Sequence, residues 1–312
     1  MTAYPQVAGP ALDSDPRLAM LFEQLQQRHH GAISCALIYG SCLRSGDLYD
    51  GLLDLYLICD SYRAAYQRSL PAIANWMLPP NVFYAEQSLD DNTLRSKVTV
   101  ISLRDFQRGC SQAWFESYIW GRFAQPTCIL FSRDEATRTT VEEALLQATR
   151  TLLCNAVPAL PGGGTVSGLW QQALALSYAT ELRTERGDRA QQLAEYSRKF
   201  FEEITCLHAN SLEFDFTVSD QAVGLCYESS VGRWRRRSAA WKWSLRKAQG
   251  KLLSILRLVK ALFTFEGGLD YIAWKLERHT GEKIVIPDRV RRAPLIFIWG
   301  FFWKLYRRGI FK

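Results

Sequence analysis

Ile33-Ser-Cys-Ala-Leu-Ile-Tyr39-Gly40-Ser41 and, after a short loop, Leu52-Leu-Asp54-Leu-Tyr-Leu-Ile-Cys59 are the stretch that decides the fold. The first run has the composition of a buried strand and breaks at Gly-Ser, a turn pair. The second run is also β-type, yet it carries a carboxylate in its middle. Upstream, residues 15–30 place Leu18, Leu21, Phe22 and Leu25 at helical spacing, which predicts an amphipathic helix. Downstream, short strands are predicted at Asn81–Glu86, Lys97–Ser102 and Thr127–Phe131, with a helix at about 103–122. The first 133 residues therefore read as mixed α/β.

From Glu135 to about Cys154 the pattern is helical and ends at the loop signal Pro158-Ala-Leu-Pro161-Gly-Gly-Gly164. Helices at roughly 165–185 and 188–209 follow, in a region of little strand character. Segment 229–265 holds ten Lys and Arg and no acid. Its Leu252, Ile255, Leu256, Val259 and Leu262 share one helical face, and Lys251, Arg257 and Lys260 lie outside it. The last run, Leu295–Trp303, is aromatic-rich, too short to span a bilayer, and followed by Arg307, Arg308 and Lys312.

The chain has 312 residues, 48% of them apolar and 22% charged, with a net charge of +7, which excludes a disulfide miniprotein, a low-complexity tail and a collagen-like repeat. That charge conceals a division: residues 1–228 hold 18 Lys and Arg against 26 Asp and Glu, and 229–312 hold 20 against 5. Eight cysteines form no CxxC pair and four histidines have no ligand spacing, so reduced, buried thiols are expected and structural zinc is not. The N-terminal stretch shows no secretory signal, and no run reaches the ~20 apolar residues of a spanning helix. The expectation is a soluble protein or one lying on a membrane surface.

A strand ending in Gly-Ser beside a strand carrying an acid is the way polymerase-beta-type nucleotidyltransferases assemble their site. The turn amides and the Ser41 hydroxyl can hold nucleotide phosphates, and a carboxylate such as Asp54 can hold Mg²⁺ near the α-phosphate. The usual pattern has two aspartates separated by one residue, and here the earlier position is Leu52. Asp47, Asp50 and Glu86 are the candidates for a second ligand, with Glu86 favoured because it ends the next strand. Arg44 could meet a phosphate or pair with Asp47. Arg122, Arg183 and Lys199 are further candidate phosphate contacts.

Several blocks in order resemble the mitochondrial-type phosphatidate cytidylyltransferases, also called translocator assembly and maintenance proteins. Tyr39-Gly40-Ser41 is similar to the family's Tyr-Gly-Ser, with Cys42 where the family has a further glycine, and Leu53-Asp54-Leu55 resembles its single aspartate in an apolar strand. Val100-Ile101-Ser102 through Trp120-Gly121-Arg122 to Pro126, Leu176-Ser177-Tyr178 through Glu181 to Arg183, and Leu256 through Thr264 with the helix to Arg278 resemble later blocks. Trp76-Met-Leu-Pro-Pro80 stands where family members often have a histidine-rich stretch.

The resemblance implies an α+β chain: a nucleotidyltransferase domain at 1–133, a mostly helical, winged-helix-like domain at 134–228, and a basic amphipathic membrane-associating region at 229–312. It implies the Mg²⁺-dependent reaction of CTP with phosphatidate to give CDP-diacylglycerol and pyrophosphate, in a bacterial relative placed on the inner face of the cell membrane. Trp234, Trp241, Trp243, Trp274, Trp299 and Trp303, set among the cations, favour an anionic lipid surface over nucleic acid as the partner of the basic end. Two rival readings are a nucleotidyltransferase with an RNA, protein or small-molecule acceptor, and a non-catalytic membrane- or nucleic-acid-binding protein. The oligomeric state is not assigned.

Overall fold

The computed structural model describes residues 3–49, 51–67, 69–89, 92–181, 188–264, 286–292, 300, 303 and 307. Its first part runs α1 (Pro16–Arg28), β1 (Ile33–Tyr39), α2 (Ser41–Ser45), β2 (Leu53–Cys59), α3 (Tyr62–Tyr66), α4 (Ser69–Met77), β3 (Asn81–Leu89), β4 (Asn92–Ser102), α5 (Leu103–Cys110), α6 (Trp120–Phe123) and β5 (Cys128–Ser132). The five strands form one mixed sheet in the order β3-β4-β2-β1-β5, with β2 and β4 parallel and the other pairs antiparallel. Every residue of β1 and all but Asp54 of β2 are buried. The continuous apolar runs exist because both sheet faces are covered. Cys35, Leu37, Tyr39, Tyr56 and Ile58 point into one core, and Ala36, Ile38, Leu53, Leu55 and Leu57 into another that α1 closes. α1 begins where Asp15 accepts from the Arg17 amide and Pro16 takes the first helical position.

The second part comprises α7 (Glu135–Ala156), β6 (Gly163–Thr165), α8 (Val166–Tyr178), α9 (Asp188–Tyr196), α10 (Arg198–His208), β7 (Asp215–Gln221), β8 (Gly224–Ser230), α11 (Arg233–Thr264) and α12 (Asp288–Arg292). Strands β6-β8-β7 make a small antiparallel sheet. The chain is thus α+β, and among the described residues no helix is long and apolar enough to cross a membrane. One hydrophobic core runs from β1 and β2 through α7, α8 and α10 to Tyr227 and Trp243.

Four expectations need correction. The helix expected at 103–122 is two pieces, because α5 ends at Cys110 and irregular chain intervenes before α6. The helix expected at 188–209 breaks at Ser197. The middle region contains the β7–β8 hairpin, whose mostly exposed strands lack an apolar run to announce them. Trp243 is a core residue that packs on Trp120 and donates to the Asn155 carbonyl at 2.9 Å, and Arg246 beside it is buried and donates to the Phe115 carbonyl at 2.8 Å. The first half of the basic helix is therefore part of the body's packing. Asp50, Arg183, Trp274, Trp299 and most of 295–312 lie outside the described residues.

His208 gives the fold a pH dependence. Its Nε2 is 2.8 Å from the Thr149 hydroxyl, and burial, with Arg150 nearby, lowers its pKa from 6.5 to about 4. The folded state therefore disfavours the imidazolium that the unfolded chain accepts. Stability is complete above about pH 6.5 and falls as pH drops toward 4, by up to about 3 kcal/mol. Urea titrations of wild type and His208→Gln at pH 7.5 and 4.5 should show this part of the acid sensitivity only in wild type.

Candidate functional site

The site is set by the register of three strands. Tyr39, the last residue of β1, lies opposite Asp54 of β2, and Asp54 lies opposite Lys97 of β4. Gly40 turns the chain into α2 at φ +91°, and a Cβ built there would come within 2.6 Å of Asp54 Oδ2. Glycine is thus required twice, by a left-handed backbone and by the carboxylate resting on it. Ser41 follows, exposed, at the start of α2, where the first amides have no intrahelical acceptors. The turn, its serine and Asp54 therefore meet at one end of β1 and β2.

Arg44 is half-buried near this turn and has no carboxylate partner among the described residues. Burial and the neighbouring Arg189 lower its pKa, while Asp54 acts in the opposite sense. Asp47, the partner considered in the sequence, instead accepts from the Tyr49 amide at 2.8 Å. A small cavity of about 110 Å³ is lined by Gly40, Arg44, Gln125 and Tyr196, and the Tyr196 hydroxyl donates to the Arg44 carbonyl.

Lys97 was not anticipated. Its ammonium is 3.9 Å from Asp54 Oδ1, on the strand neighbour where a second carboxylate would complete a metal site. Glu86 is not brought there. It lies opposite Arg95 on β3, two strands from Asp54 and roughly 12 Å away across the sheet. Its carboxylate accepts from the Tyr84 hydroxyl at 2.7 Å and stands 3.9 Å from Arg95. Among the described residues no three His, Cys, Asp or Glu side chains come together. The donor set fits a Mg²⁺ that takes one protein carboxylate, Asp54, and fills its shell with nucleotide phosphates and water.

Behind the site is a buried ionic layer. Arg122 is 6% exposed and donates to Glu181 at 3.1 Å, so this candidate phosphate contact is already engaged. Arg257 of α11 makes a two-pronged pair with Glu116 at 2.6 and 2.7 Å. The two guanidiniums lie 4.1 and 4.0 Å from the Tyr118 ring centroid. Burial raises the Tyr118 pKa, but Arg122, Lys97 and Arg257 together outweigh it and leave the phenol below its usual range. The Tyr56 hydroxyl is buried nearby and has no hydrogen-bond partner among the described residues. Lys199 is exposed on α10. Only the order of apolar and polar residues in Lys97–Ile101 hinted that Lys97 shares a sheet face with Asp54.

Glu181→Gln should leave Arg122 buried without a counter-charge and cost about 3–5 kcal/mol of stability. A urea denaturation midpoint within error of wild type would contradict this placement. No family model matches the chain, and no curated protein is similar to it.

Proposed function

We propose that the chain is a Mg²⁺-dependent nucleotidyltransferase that uses CTP and transfers its cytidylyl group to phosphatidate at a membrane surface. The observation that carries the reading is the Gly40 turn packed directly on the Asp54 carboxylate at the shared end of β1 and β2. The α2 amides, the Ser41 hydroxyl and Arg44 would bind the β- and γ-phosphates. Asp54 would hold Mg²⁺, which supplies charge neutralisation on the triphosphate and orients the leaving pyrophosphate. Lys97, the cation beside Asp54, would hold the acceptor phosphate for in-line attack on the α-phosphorus. The P–O bond to pyrophosphate breaks as the bond to the acceptor oxygen forms.

Pairing Asp54 with Lys97 leaves the site with no net charge where two carboxylates would give −2, and this favours a second reading, a non-catalytic nucleotide- or membrane-binding protein. Turnover separates the two. Protein with CTP, Mg²⁺ and phosphatidate-containing vesicles should release pyrophosphate and form CDP-diacylglycerol. Pyrophosphate release with other acceptors only would transfer the same site to another substrate, and none with any acceptor would leave the non-catalytic reading.

A further inference from the structure

Two neighbouring helices turn polar residues inward and apolar residues outward. α4 contains no charged residue, and among its described side chains only Asn75 is buried, with its Nδ2 donating to the Val100 carbonyl at 3.1 Å and to the Tyr66 hydroxyl at 3.2 Å. Its Leu70, Ile73, Trp76 and Met77 are 75%, 50%, 71% and 71% exposed and form one stripe at helical spacing. The second half of α11 is built the same way. Arg257 donates to the Pro79 carbonyl and Lys260 to the carbonyls of Leu78 and Pro80, while Leu252, Ile255 and Leu256 are exposed.

A groove of about 1360 Å³ is lined by Trp76 and Met77 of α4 and by Leu253 of α11. Its carboxylates are engaged: Asp60 holds Arg133, Asp105 accepts from the Tyr62 hydroxyl, and Glu116 holds Arg257. Arg63 and Arg104 also line it and have no carboxylate partner among the described residues. The surface thus combines a large apolar stripe with uncompensated cations.

We propose that α4 is a membrane-docking element of the body, which seats it together with α11 on an anionic bilayer. This rests on the membrane reading above and extends it beyond residues 229–312. A bilayer matches both halves of the surface, since the acyl boundary takes Leu70, Ile73 and Met77, the headgroup layer suits Trp76, and anionic lipid answers Arg63, Arg104 and the acid-free α11. A second copy of the chain would set the same cations against each other. The groove flanks the Cys59 end of β2, about 17 Å along the strand from Asp54, and its Glu116 and Arg257 belong to the ionic layer behind the site.

The test is co-sedimentation of the full chain with phosphatidylcholine vesicles, with and without phosphatidate or phosphatidylglycerol, for wild type, Ile73→Ser/Trp76→Ser and Lys247→Glu/Lys251→Glu. Both double variants change exposed or partly exposed positions, and their thermal unfolding should match wild type. The α4 variant is expected to partition into anionic vesicles about tenfold less, or weaker still. Trp76→Phe should lower the quenching of tryptophan emission by brominated lipid. An α4 variant that partitions like wild type while the α11 variant is lost overturns the proposal and leaves the membrane reading standing. Wild type that fails to bind anionic vesicles overturns both. A wild-type dimer by light scattering that the α4 variant converts to monomer, with vesicle binding unchanged, assigns the face to a second copy and also overturns it.

Discussion

Asp54→Asn is expected to lower pyrophosphate release by about a thousandfold while leaving the fold intact. The substitution keeps the shape of the side chain and removes the charge that would hold Mg²⁺. Its structural cost should be small, because the Asp54 carboxylate is partly exposed and its ion pair with Lys97 spans 3.9 Å. The thermal midpoint should therefore stay close to wild type. The companion Lys97→Met separates roles: if Lys97 holds the acceptor phosphate, it raises KM for the acceptor more than for CTP. A fall in kcat alone would place Lys97 with the nucleotide instead.

Gly40→Ala should be nearly as severe for activity, and unlike Asp54→Asn it should also destabilise the protein. The new methyl group would stand 2.6 Å from Asp54 Oδ2, and the backbone there has φ +91°. Strain of this kind costs about 1–3 kcal/mol, and relief of the clash pushes the carboxylate out of place. Gly46→Ala is the control. Its backbone is in the ordinary left-handed region, φ +71° and ψ 2°, with nothing near the added carbon, so it carries a milder backbone penalty and no contact. A loss of activity confined to Gly40→Ala ties the turn to Asp54, and the difference in denaturation midpoint sums the contact with the greater backbone strain at Gly40. Equal behaviour of the two would remove the turn from the site.

Much of the sheet was legible in the sequence because burial on both faces produces unbroken apolar runs. β1 occupies the run at 33–39, and β2 starts one residue inside its own. The strands β3 and β4 extend beyond their predicted ends through Gln87–Leu89 and Asn92–Ser96, where the buried face is carried by Leu94 and Ser96 and the apolar signal fades. α4 escaped notice for the opposite reason. Its apolar stripe faces outward and Pro71 interrupts it, so periodicity could not tell inside from outside. α11 shows the same ambiguity: the apolar arc through Leu252, Ile255 and Leu256 was visible, but only the contacts of Arg257 and Lys260 reveal that the arc points away from the body.

The candidate site was legible where it is local. Gly40, Ser41 and Asp54 lie in two adjacent strands and their turn, so a motif could find them. Lys97, Glu116, Tyr118 and Arg257 are united only by parallel pairing of β2 with β4 and by the docking of α11. Glu86 illustrates the limit of chain order as a guide. It ends an apolar run as a metal ligand might, yet β4 intervenes between its strand and that of Asp54.

The most direct measurement is calorimetric titration of CTP into the full chain, with and without MgCl₂, for wild type and Asp54→Asn. The account predicts binding that requires Mg²⁺ in wild type and is lost or weakened at least tenfold in the variant. Absence of CTP binding, or binding equal in the two proteins, would contradict the assignment of the Gly40–Asp54 junction as a nucleotide site.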